Sequence, residues 1–311
     1  MNNQVIRTLN NGIVFRNGIL VFCCLISLLF ILSCEADLKY DLNMNDFKPQ
    51  LAINCTFTND SLWRVYVSKS SGILANESWD IVNNAVVTIS DSNEIISVLD
   101  PNGIGQYTSQ HKPQFNQRYN LKITVPGFET IEASDFQPEQ IQIDGIYFTD
   151  SISLEENEYL SQVSISISDN GSLTNFYQII VYQKDNNNQI VSLMLKSDDL
   201  AIENSANYNI TGGNSKFKEY LVANDQLFNG TIYSFNLKFF KIIPDADVFV
   251  EIRSLSANLH EYVLSYSKFT ENIDDLFAEP LNVYSNINNG LGIFGGYSSY
   301  SHKITVINSS N

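Results

Sequence analysis

Basic residues are scarce in this chain. It carries 18 lysines and arginines against 34 aspartates and glutamates, a formal net charge of −16. Such acidity argues against nucleic acid and anionic membrane surfaces as partners, because both repel it. Histidine is scarcer still: His111, His260 and His302 stand far apart, with no second ligand at metal spacing. Catalytic motifs are missing too. There is no G-x-S-x-G elbow, and Gly296-Tyr-Ser-Ser-Tyr has the wrong frame for one. Asp245-Ala-Asp247 and Asp274-Asp275 lack the D-x-D-x-D-G calcium loop and read as solvated turn carboxylates. Carboxylate pairs for glycoside hydrolysis stay open, since the separation of acids in space is invisible at this level. The expectation is no enzyme, no cofactor and no metal.

Cysteine numbers four, and three of these fall within the first 34 positions. There an apolar run, Gly18 to Cys34, follows Arg7 and Arg16 and precedes the first acidic residue, Glu35. A spanning helix needs roughly 20 apolar residues, and this run falls short, so it reads as a secretory signal. It closes on Ile31-Leu32-Ser33-Cys34, a small residue immediately before a cysteine. That ending resembles a bacterial lipoprotein box, in which the cysteine is acylated and becomes the new first residue. Cys23 and Cys24 compete poorly, because Phe22 and the Cys23 side chain precede them inside the apolar run. The expectation is a signal peptide over 1–33, lipid attachment at Cys34 and a polar tether over 34–47. Loss of Arg7 and Arg16 leaves 16 basic against 34 acidic residues, a net charge of −18. Cys55 is then the one thiol left. No disulfide framework is available, and Cys55 is expected to act as a small buried hydrophobe in the strand-like segment Leu51 to Phe57.

From Pro49 onward the pattern is period-two. Ala85 to Ser90 and Glu94 to Leu99 flank the turn triplet Asp91-Ser-Asn93 and predict a hairpin. Gln162-Val-Ser-Ile-Ser-Ile-Ser168 alternates with one face apolar and the other serine. Tyr119 to Phe128 resembles the end of a transthyretin-like or carboxypeptidase-regulatory-like module. Gln137-Pro138 marks a linker, and residues 197–216 read as an irregular excursion. One helix is written in Leu255, Leu259, Tyr262, Val263, Tyr266 and Phe269, with Ser256 or Asn258 at its cap. The fold class expected is all-β. Two antiparallel sandwich-like domains are placed at 48–134 (transthyretin/Ig-like) and 138–307, with the helix packed on the second. Residues 48–134 are expected to fold alone.

Two stretches carry a family likeness. Ala223-Asn-Asp-Gln-Leu-Phe-Asn-Gly-Thr-Ile-Tyr233 places Asp225 and Gly230 in an Asp–x–x–Phe–x–Gly segment before a strand. Near the end, Phe277 to Tyr297 sets Glu279, Pro280, Asn286, Gly290, Gly292, Phe294, Gly295 and Gly296 in one long motif. Together they resemble the Bacteroidota lipoproteins grouped as domain-of-unknown-function family 4249. The resemblance implies an outer-membrane lipoprotein, often encoded beside a TonB-dependent receptor, with no known catalytic residue. Glu35 and Asp37, just after the lipidated cysteine, resemble that phylum's surface-export signal. Within the second motif, Gly290-Leu-Gly-Ile-Phe-Gly295 also matches the dinucleotide fingerprint G-x-G-x-x-G. That fingerprint needs a following helix and an acidic residue about 20 positions on. Only 16 residues remain after Gly295, and Ser301 to Ile307 reads as a strand, so the glycines are expected to serve backbone geometry.

Overall fold

Alternation in the sequence becomes strands almost throughout. The computed structural model describes residues 47–72, 80–92, 94–153, 159–185, 187–204, 217–243, 246–272 and 281–304. The signal peptide, Cys34, and Glu279 and Pro280 of the second motif lie outside them. In the first half run β1 (Leu51–Phe57), β2 (Arg64–Lys69), β3 (Asp80–Ile81), β4 (Val86–Asp91), β5 (Glu94–Pro101), β6 (Gln106–Thr108), β7 (Gln117–Thr124) and β8 (Ile131–Gln137). The second half holds β9 (Gln142–Ser153), β10 (Tyr159–Ser168), β11 (Phe176–Lys184), β12 (Ile190–Ser192), β13 (Leu195–Lys196), β14 (Leu221–Asn224), β15 (Ile232–Phe239) and β16 (Val248–Leu255). A single described helix, α1 (Ala257–Asn272), then precedes the long β17 (Leu291–Ile304). The fold is all-β, as the pattern predicts.

Among the described residues the strands make a 13-stranded sheet, whose main path is β12-β11-β16-β17-β1-β2-β6-β5-β4-β7-β8, and a 4-stranded sheet, β13-β15-β10-β9. Two cores follow. The first gathers the inward residues of β1, β2, β4 and β7 around an aromatic cluster, with Phe57 4.7 Å from both Trp63 and Phe294 and Trp63 4.9 Å from Tyr119. Cys55 is buried there, as expected, and burial pushes its thiol pKa far up, so it is chemically inert. The second core packs Val163, Ile165 and Ile167 of β10 against Phe235 and Leu237 of β15 and the inner faces of β11 and β16. The serine face of β10 stays wetter, and Ser166 meets Ser234 across the ladder at 2.6 Å.

The division into two separable domains needs correction. Lys48–Asn311 form one compact unit. The join is β17. Its first part, Leu291–Gly296, pairs parallel with Ala52–Phe57 of β1, and its second part, Tyr297–Ile304, pairs antiparallel with β16. A parallel pair cannot be closed by a tight turn and needs a long crossover. Here everything from β2 to α1, the rest of the first region and the second region together, lies between the two paired strands. Gln137, expected in a linker, instead ends β8 with its side chain fully buried, donating Nε2 to the Tyr297 carbonyl at 2.7 Å. The first core also contains Ile287 and Phe294 from the far end of the chain, so residues 48–134 do not close it alone.

The helix forms where the periodicity predicts it, with one of its two expected caps. Ser256 is the cap: its Oγ accepts the Leu259 N–H at 3.1 Å and its carbonyl accepts the His260 N–H at 2.9 Å. Asn258 lies inside the first turn. The buried face is Leu259, His260, Leu264 and Ser267, while Tyr266 is exposed. Leu259 packs with Ile293 of β17, so α1 covers the join between the two regions as well as the second region.

Candidate functional site

The glycine-rich motif builds the join. At Gly292 φ is +107°, and a Cβ there would lie 1.9 Å from the Ile53 carbonyl oxygen of β1. No side chain fits that position, either by backbone angle or by space. A Cβ on Gly296 would lie 2.2 Å from the Phe136 carbonyl oxygen of β8, and one on Gly295 2.9 Å from Leu259 Cβ of α1. Gly290 stands against Leu51 and Ile131 in the same way. The motif thus lets β1, β8 and α1 approach one strand from three sides. Asn286 completes it by acting as a strand partner made of side chain. Its Oδ1 accepts the Phe294 N–H at 3.0 Å and its Nδ2 donates to the Phe294 carbonyl at 2.8 Å. Phe294 itself is fully buried in the first core. Gly290 to Gly295 runs straight into a strand that continues to Ile304, so the turn into a helix that a dinucleotide fingerprint requires is not formed there.

Beside Gly296 lies a residue the sequence reading passed over. Asp135 is 3% exposed, and its carboxylate accepts the Gly296 N–H at 2.8 Å, the Asn258 Nδ2–H at 3.0 Å and the Ser256 hydroxyl. It therefore ties β8, β17 and the capped end of α1 together. Burial raises its pKa above the ordinary carboxylate range, opposed by the donors from Ser256, Gly296, Phe136 and Asn258. A signal was present. Ile131, Ala133, Asp135 and Gln137 are the inward positions of an alternating strand, and an acid at an inward position demands partners.

The first motif builds a second fixed point. The Asp225 carboxylate accepts the Asn175 N–H at 2.7 Å, and its carbonyl accepts the Phe228 N–H at 2.8 Å. Gly230, with φ at +73°, donates its N–H to Asp169 at 2.7 Å and lies directly against Gly171. Asp169 also accepts the Asn175 Nδ2–H at 3.1 Å and the Tyr177 hydroxyl. Burial, followed by the hydrogen bond to Asp169, pushes the Tyr177 pKa far up, so the phenol remains a donor. The loop between β10 and β11 is held in one shape by these bonds.

Between the two fixed points opens a cleft of about 640 Å³. One wall comes from β7, β8 and the segment after it, including Arg118, Phe136, Glu139 and Gln140. The opposite wall comes from the β10–β11 loop and the start of α1, including Asp169, Asn175, Phe176 and Asn258. Asp135 lines it at the junction. Ligand sites of small molecules are clefts of roughly 300–1,000 Å³, favoured where two regions meet. Asp225, Gly230, Asn286 and the glycines do not line this cleft. They hold the elements that do. Among the described residues no group of three or more histidines, cysteines and carboxylates stands at metal-holding geometry.

A family model described as "Domain of unknown function (DUF4249)" matches residues 37–303. The chain belongs to this family. The match spans both cores and the joining strand, so the family is defined on the joined unit. No curated protein matches the chain.

Proposed function

We propose that this protein is a lipid-anchored binding protein of the outer membrane, held through Cys34 and serving as an accessory subunit of a TonB-dependent uptake receptor. The observation that carries the binding role is the cleft of about 640 Å³ between two regions locked by a shared strand. A preformed cleft spends little binding energy on ordering itself. The anchor rests on the Ile31-Leu32-Ser33-Cys34 ending and the basic lead before it. Among the described residues no helix is long and apolar enough to cross a membrane. A single acyl chain binds reversibly, whereas two or more anchor stably. A receptor contact of this kind buries at least about 1,000 Å² and centres on aromatic anchors.

The test is a mild-detergent pull-down of the tagged protein from outer membranes, with the Cys34→Ser variant in parallel. Recovery of a TonB-dependent receptor with the native protein, and loss of membrane fractionation in the variant, are expected. Recovery of the protein alone at several salt concentrations would favour a structural or adhesive surface protein. Continued fatty-acid labelling of Cys34→Ser would remove the anchor assignment.

A further inference from the structure

Resting on the reading of the cleft as a binding site, we infer that its ligand is neutral and polyhydroxylated: an oligosaccharide. The lining holds three carboxylates, Asp135, Glu139 and Asp169, against one guanidinium, Arg118. An anionic ligand faces net repulsion there. The same charge draws a cationic ligand, but the carboxylates it would pair with are already engaged in hydrogen bonds. Asp135 and Asp169 each accept donors from three residues, and Glu139 accepts the Asn116 Nδ2–H at 2.8 Å. Arg118, which makes no ion pair among the described residues, offsets part of that attraction.

Five polar groups in the lining remain without a side-chain hydrogen bond among the described residues: Arg118, Gln140, Gln142, Thr174 and Ser254. They stand on both walls. Covering them with an apolar ligand would strip their water and return nothing for it. Amide and hydroxyl groups both donate and accept, and Arg118 adds a fork of donors. Neighbouring hydroxyls of a sugar ring offer a donor and an acceptor side by side, which an amide meets with its two ends. The lining also includes Phe136 and Phe176. Phe176 is backed by His260, with ring centroids 4.2 Å apart, and so is held in place. The C–H face of a pyranose packs on such rings, while its hydroxyls reach the polar groups around them. The volume exceeds what one small polar molecule needs and suits several linked rings.

The experiment uses the detergent-solubilised mature protein, with calorimetry and thermal shift as readouts. Probes are maltotriose, xylotriose, mannotriose and N,N′,N″-triacetylchitotriose, with spermidine, glucose 6-phosphate and octanoate as charged and apolar comparators. We expect saturable binding of at least one neutral trisaccharide, weakened about tenfold or more by Gln142→Ala and by Thr174→Val. Both positions are exposed, so the variants should melt with the parent protein. Saturable binding confined to spermidine, glucose 6-phosphate or octanoate, and sensitive to these substitutions, would overturn the ligand class and keep the cleft. Binding of any probe that ignores both substitutions would overturn the cleft itself. Absence of binding across all the probes would also overturn the inference.

Discussion

The two regions of this molecule are built from similar strands, yet they differ in how they close. The second core draws its buried residues from Val163 to Ile304, with none from the strands of the first region. The first takes Ile287 and Phe294 from beyond the helix, and its first strand has β17 as one of its two neighbours. The second region is self-sufficient. The first is completed by the end of the chain. The cleft lies where this dependence is enforced, between a wall from each region, so the strand that completes one core also fixes the shape of the site.

Fragments give the sharpest contrast. Residues 139–304 should melt cooperatively in circular dichroism, whereas residues 48–138 should show no cooperative transition, because they lack both the β1 partner and Phe294. A cooperative melt of 48–138 would break the comparison. Next in size is Gly292→Val. Its Cβ would be driven into the Ile53 carbonyl at a backbone angle that a β-branched residue rejects. Strain and lost pairing together should lower stability by about 3 kcal/mol or more in denaturant titration. Asp135 sharpens the account at smaller scale. Asp135→Ala leaves the Gly296 N–H and the Asn258 amide without their acceptor and should cost about 2–4 kcal/mol; Asp135→Asn keeps an acceptor and should cost less. The pH dependence follows from the raised pKa of the folded state. The carboxyl's contribution is full below the ordinary carboxylate range and is lost as pH rises through the raised value. Chemical denaturation across pH should therefore show Asp135→Asn gaining on the parent protein as pH rises.

How much of this was legible in the sequence depends on the range of the interaction that decides it. Local patterns read well. The hairpin around Asp91, the alternating β10, the buried Cys55 and the helix after Leu255 all follow from periodicity and turn chemistry over a few residues. The helix stripe read Tyr266 as inward in place of Leu264, because an aromatic-rich face carries little contrast between neighbouring positions. The join was not legible. Parallel pairing of β1 with β17 links opposite ends of the chain, and nothing in Leu51 to Phe57 names its partner. The glycines hinted at close approach, and Gly292 and Gly296 make it, but the elements they admit were invisible. The cleft was hidden for the same reason, since its walls come from Asn116 to Gln142 and from Ser168 to Asn258. Asp135 was the one accessible clue, an acid on the inward face of a strand.

The central claim is that β17 completes the first region while the second stands by itself. Hydrogen–deuterium exchange on Phe294→Ala tests it most directly. Removing a buried phenylalanine costs about 3–5 kcal/mol, and here that loss falls within the first core. Peptides covering β1, β4 and β7 should lose protection, while those covering β10 and β15 keep theirs. Equal loss of protection in both regions, or a loss confined to β17, would contradict the account.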